Sequence, residues 1–326
     1  MSLKFFSAFV AFTASLQITF AQKKDSINPE IQYIKFKDSS SFGFKKPHTW
    51  DMFRYVPNDI ASLGKFAIQK ENLKWDALAV GSTLAIIPFD QRITEEADDL
   101  GASIGVWNED AHYKKVCGLL SIIPQNVPSA VYYIGNGGTT LLLSGMFWGI
   151  GKIGKDDYRA LNTSNELVEA LFSVGVVDQT IKRISGRESP NMATKENGAW
   201  NPFPSFSAFQ SHTPNYDAMP SGHMATYIAT VTIIATNYPE LKWIKPVGYS
   251  IGGILAFNMV SGKVHWTSDY PIAVFMGYVM GKTIANRRII KQDKVVEMGI
   301  KKTTFKTNYT FNRLNNMTLV GATLTF

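Results

Sequence analysis

A single cysteine, Cys117, stands in a chain of 326 residues. That excludes an internal disulfide and a thiolate metal centre, and the expectation for Cys117 is a buried small apolar residue. Charge is sparse at 18%, and acid falls short of base, with 26 Asp and Glu against 33 Lys and Arg for a net charge of +7. An excess of base favours acidic partners such as phosphate esters or anionic headgroups. The lack of any basic-aromatic cluster argues against nucleic acid. Long hydrophobic runs are missing as well. The longest charge-free stretch, Val116 to Gly151, is broken by Pro124, Gln125, Asn126, Pro128 and the Asn136-Gly137-Gly138 step. With a mean hydropathy of -0.05, buried core helices with some membrane contact fit better than clean spans. No internal repeat is found.

What is present begins with Met1 to Ala21, where an early Lys4, an apolar stretch from Phe5 to about Ile18 and small residues near the end read as a secretory signal peptide cleaved before Gln22. The expected localisation is export, to the periplasm or the outer face. From 22 to 74, scattered charges and Pro29, Pro47 and Pro57 read as an irregular N-terminal extension. Apolar spacing nearer a helix than a strand follows at about 75–89, 93–103, 109–122, 129–151, 164–184, 223–237, 243–260 and 269–288. The region 75–290 is therefore expected to be mainly α. In the tail, 291–326, alternating aromatic and aliphatic residues flank Asn315-Asn316, which predicts a β-hairpin.

Three stretches carry chemistry. Pro220-Ser221-Gly222-His223 opens the run Met224 to Asn237, which has no charge. Ser221 is a good N-cap, Gly222 allows close backbone approach, and the free N–H groups and positive dipole end of a helix start would welcome an anion. His223 adds a side chain that can carry a proton near neutral pH. At the end of another apolar run, Lys182, Arg183 and Arg187 surround a Gly186 stop, an arrangement that also serves an ordinary helix C-terminus. In Val264 to Pro271, His265 and Asp269 are four apart, so the carboxylate can hold one ring nitrogen and leave the other free as nucleophile or base. The same residues also fit a plain helix cap at Ser268 or Asp269 with Pro271 in the first turn.

Together the three stretches resemble the signature of the type-2 phosphatidic acid phosphatase and vanadium haloperoxidase superfamily, which runs Lys-x6-Arg-Pro, Pro-Ser-Gly-His, Ser-Arg-x5-His-x3-Asp. Lys182 and Pro190 fill the first motif, Pro220 to His223 the second, and His265 and Asp269 the latter half of the third. The resemblance reaches roughly from 75 to 290 and implies that family's helical bundle. Two departures fall on arginines. Ser189 stands at the Arg of the first motif, and Asn258-Met259 at the Ser-Arg of the third. In the family those arginines help clamp phosphate oxygens; Arg187 and Lys263, each two residues from a motif position, are the cations that could reach in instead.

The resemblance implies a mechanism without metal. His265, oriented by Asp269, attacks phosphorus to give a phosphohistidine; His223 protonates the leaving oxygen and then helps activate water. Lys182, the Ser221 hydroxyl and the Gly222 N–H hold the non-bridging oxygens. The leading expectation is an exported phosphatase acting on a phosphomonoester or pyrophosphate, free or lipid-linked. The alternatives are a haloperoxidase that holds vanadate, a degenerate member that binds a phosphorylated lipid without turnover, and a structural protein whose hairpin is the functional part.

Overall fold

The computed structural model describes residues 25–28, 30–36, 40–104, 113–116, 120–292, 306–314 and 317–325. The expected signal peptide, Cys117 and the Asn315-Asn316 turn lie outside them. Helices dominate: α1 (Asp51–Arg54), α2 (Val56–Ile68), α3 (Leu73–Ile86), α4 (Asp90–Ile104), α5 (Val127–Gly135), α6 (Gly137–Ile153), α7 (Tyr158–Ser185), α8 (Phe206–Ser211), α9 (Gly222–Asn237), α10 (Ile244–Ser261) and α11 (Tyr270–Arg288). The expected bundle is present, and its centre is α9, whose flanks are covered by α7, α10 and α11.

Small residues let these helices approach. A Cβ on Gly277 would lie 2.3 Å from the Ala225 carbonyl oxygen, and one on Gly281 would lie 2.8 Å from that of Ala229. Backbone of α11 therefore rests directly on backbone of α9. Around this contact Leu167, Val174, Met224, Ile228, Ile233 and Leu255 are buried and form one core. The 28-residue α7 starts at Asp157, whose side chain accepts from the N–H of Arg159 and Ala160. It ends at Gly186, whose φ of 54° is left-handed and whose Cβ would meet the Asn201 carbonyl at 1.8 Å. Only glycine fits there.

Several sequence expectations are refined. The run at 129–151 is two helices, because the Asn136 side chain accepts from the Gly138 N–H and starts α6 afresh. Where a helix was expected at 109–122, the described residues instead form an antiparallel pair, β4 (Tyr113–Val116) and β5 (Leu120–Pro124). Four of these nine residues, Tyr113, Val116, Ile122 and Ile123, are β-branched or aromatic, a composition suited to strands. The segment 22–74 is more regular than expected. It holds β1 (Asp25–Asn28), β2 (Ile31–Lys35), β3 (Ser41–Lys45), α1 and α2, and β3 pairs antiparallel with β6 (Ile289–Gln292) at the end of α11. Gln32 fixes this sheet to the bundle by donating to the Asp156 carbonyl at 2.7 Å and accepting from the Tyr158 N–H at 2.9 Å. The tail forms the expected hairpin from β7 (Lys306–Leu314) and β8 (Met317–Thr325). Among the described residues no helix is long and apolar enough to cross a membrane.

Candidate functional site

The site lies where the start of α9, the end of α7 and the turn before α11 meet. Ser221 caps α9, with its hydroxyl oxygen accepting from the Met224 N–H at 3.4 Å, and its own N–H donates to the Asp269 carbonyl at 3.3 Å. The capping turn is thus tied to the turn that carries His265. His223, in the first turn of α9, has its ring centroid 6.1 Å from that of His265 and 4.4 Å from that of Tyr132 on α5.

His265 is buried, and its Nδ1 lies 2.7 Å from the Ala218 carbonyl oxygen. A carbonyl can only accept, so Nδ1 carries the proton and Nε2 keeps its lone pair. The nearer Asp269 oxygen is 3.6 Å from Nδ1. The expectation that Asp269 alone orients the ring is therefore modified, because the direct hydrogen bond comes from the backbone and the carboxylate lies behind it. Both Asp269 oxygens have other donors. Oδ2 accepts from the Trp266 N–H at 2.8 Å and Oδ1 from Arg187 at 2.7 Å.

Beside His223 opens a cleft of about 320 Å³, lined among others by Asn136, Asp178, Gln179, Lys182, Gly222 and His223. Lys182 is buried, with Nζ 3.6 Å from Asp178 and 3.7 Å from Asp217. Burial, reinforced by the nearby Lys182 charge, pushes His223 down from 6.5 to about 3, so it is neutral at neutral pH. Burial pushes the Asp178 carboxyl up, against the pull of Lys182 and His265.

Residues 164–289 match the family model of the PAP2 superfamily, a span that contains all three motif stretches. Over that span the chain is similar to the PAP2 superfamily. A solved structure described as the first transmembrane PAP2 type phosphatidylglycerolphosphate phosphatase, from Bacillus subtilis, is similar over 73% of this chain and 94% of its own, at 12% identity and a TM-score of 0.29. No curated protein matches the chain.

The motif positions that lack arginine are filled without replacement charge. Met259 is fully buried in the core, and its carbonyl accepts from the N–H of Val264 and His265. Ser189 is buried as well, with its N–H on the Pro214 carbonyl at 2.8 Å. Neither expected substitute turns to the cleft. Arg187 is wholly buried, and its guanidinium donates to Ser268 Oγ, Asp269 Oδ1 and Asp90 Oδ2 at 2.7 Å each and to the Asn197 carbonyl at 2.9 Å. With its terminal nitrogens held by Asp90 and Asp269, it ties α4 to the His265 turn. Lys263 pairs with Asp98 of α4 at 2.7 Å on the surface.

Four residues of this site escaped the sequence reading. Asp178 had a signal, since it lies one helical turn before Lys182 on the same face. Asp217 and Tyr132 have none, being brought in by a loop and by another helix. Asp90, nearly a hundred residues before Arg187 in the chain, could not be paired with it from spacing. The Ala218 carbonyl is a backbone group, invisible to any motif.

Proposed function

We propose that the chain is an exported, metal-independent phosphatase that cleaves a phosphomonoester or pyrophosphate through a phosphohistidine. The observation that carries this is the Ala218 carbonyl at 2.7 Å from His265 Nδ1, which leaves Nε2 as the nucleophile, with His223 across from it. In the first step the Nε2 lone pair forms a bond to phosphorus as the bond to the leaving oxygen breaks, and that oxygen takes a proton from His223. In the second, water attacks phosphorus, gives a proton back to His223, and the P–N bond breaks to release phosphate and restore His265. Because His223 is neutral at neutral pH, its first proton arrives with the substrate, whose negative charge raises the affinity of the ring for it. Lys182, the Ser221 hydroxyl and the Gly222 N–H stabilise the non-bridging oxygens.

A lipid-linked substrate is supported by a second, apolar cavity of about 270 Å³ that begins one helical turn further along, lined among others by Ile134, Leu143, Phe147, Tyr227, Val231 and Ile251. Ile134 adjoins Gly135, and Tyr227 follows His223 by one turn, so the two cavities lie on neighbouring turns of the same helices, which supports a substrate that carries a hydrocarbon chain. Exposed Leu73, Trp75, Leu78, Leu84, Leu141 and Trp148 support contact with a lipid surface.

The test is phosphate release, with chelator present, from an aryl phosphate, phosphatidic acid and a polyprenyl pyrophosphate. Release should persist in chelator and fall on the order of a thousandfold or more in His265→Ala. Folded protein that releases nothing from any of them would favour the binding-only reading, which draws on the two absent arginines; halide oxidation that depends on added vanadate would favour the haloperoxidase.

A further inference from the structure

Lys182 and the start of α9 are the groups the phosphatase reading assigns to the phosphate, yet a carboxylate already lies against both. A Cβ on Gly222 would stand 2.8 Å from Asp178 Oδ2, so that oxygen is pressed on the first residue of α9, where helix N–H groups and the dipole favour negative charge. The same oxygen is 3.6 Å from Lys182 Nζ, and Asp217 Oδ2 is 3.7 Å from it on another side. Asp178 is 4% exposed and lines the cleft, and its buried Oδ1 has no hydrogen-bond partner among the described residues. A buried oxygen left without a donor is costly unless something that enters the cleft beside it satisfies it.

Resting on the phosphatase reading, we propose that Asp178 is a specificity-determining residue that competes with phosphate for Lys182 and the α9 N-terminus, so that the site takes singly charged phosphate groups in preference to doubly charged ones. The charged and titratable groups that face it are Lys182 from its own helix, His223 from α9, and His265 and Asp217 from the turns before α11 and α9. With neutral residues Ser189 and Met259 at the motif arginine positions, Lys182 is the one cation among the cleft's described lining residues. A dianion placed there meets the Asp178 carboxylate at close range with one ammonium between them, and like charges at such distance repel strongly where water is scarce. A monoanion brings a proton, which sits between a phosphate oxygen and Asp178 as a short, charge-assisted hydrogen bond. That bond satisfies Oδ1 and keeps in the site the proton that His223 needs.

Phosphate monoesters lose their second proton at about pH 6, so the proposal predicts a preference that reverses in a variant without the carboxylate. Calorimetric binding of inorganic phosphate should tighten about tenfold in Asp178→Asn at about pH 8, and only slightly at about pH 5, with KM for an aryl phosphate following the same pattern. Asp217→Asn, whose carboxylate does not lie against Gly222, should give the smaller gain. Asp178→Ser serves the same test if circular dichroism shows that the Asn variant is misfolded. Equal or weaker phosphate binding at high pH in the folded variant, or a gain that is the same at both pH values, overturns the proposal. If the variants follow the predicted binding pattern but no ester is turned over by any of them, the hydrolase reading falls and the role of Asp178 stands. Turnover with no change in phosphate affinity rejects Asp178 alone.

Discussion

Arg187→Ala should be among the most damaging substitutions in the chain for stability, and its damage should not take the form of lost phosphate contact. The guanidinium pairs with Asp90 and Asp269, all three side chains being fully excluded from solvent, and also donates to Ser268 and the Asn197 carbonyl. Truncation leaves two buried carboxylates without their cation. Removing one partner of a buried pair costs about 3–5 kcal/mol, a large part of the 5–15 kcal/mol that holds a typical domain together. Two carboxylates share this one cation, so the expected loss is at the upper end, about 5 kcal/mol. Arg187→Lys keeps one charge but cannot reach four acceptors from a planar fork, and should recover less than half of the loss. The assay is urea unfolding followed by circular dichroism, with phosphate affinity measured on whatever fraction stays folded. A loss under about 1 kcal/mol, the range of an exposed ion pair, would refute the reasoning, as would a folded Arg187→Ala protein whose main defect is weaker phosphate binding.

Two further predictions concern the fold. Gly277→Ala should destabilise by about 2–3 kcal/mol, as overpacking does, because the new methyl meets backbone of α9; Gly64→Ala in α2, with nothing within 4 Å, should instead stabilise by about 0.5–1 kcal/mol, and equal effects in thermal melts would contradict the packing described. Burial raises Glu166 from 4.5 to about 8, with Arg288 and Asn237 opposing. A carboxyl whose folded pKa lies above its unfolded one contributes stability that is complete below about pH 4.5 and lost as pH rises through about 8. Glu166→Gln should therefore lose less stability than the parent between those limits, Glu169 retaining a slope of the same sign; parallel curves in urea titrations would reject that sign.

How much of this was legible in the sequence depends on distance along the chain. The cap at Ser221, the stop at Gly186 and the helix starts of α9 and α11 are local, and their chemistry is written in adjacent residues. The split of 129–151 was marked by Asn136-Gly137-Gly138, yet apolar spacing runs through both halves and masked it. Strands β4 and β5 were missed because short apolar runs satisfy either period. The pairing of β3 with β6 joins segments almost 250 residues apart, brought together by the packing of α1 and α2 on α7, of α2 on α11, and of the sheet itself on α7. At the site, the motif residues Lys182 and His223 line one cleft and His265 packs beside His223 with Asp269 behind it, but proximity in sequence misled for Arg187 and Lys263. Their charges are absorbed by Asp90, Asp269 and Asp98, and Asp90 and Asp98 belong to α4, a helix that lies outside every motif.

The most direct test of the account is to mix the protein with a phosphate ester in chelator, quench in alkali, and map phosphoryl groups by mass spectrometry. One phosphoryl group on His265, absent in His265→Ala and longer-lived in His223→Ala, is the predicted result. A phosphoryl group on another residue, or phosphate release that continues undiminished in His265→Ala, would contradict the central role given to that ring.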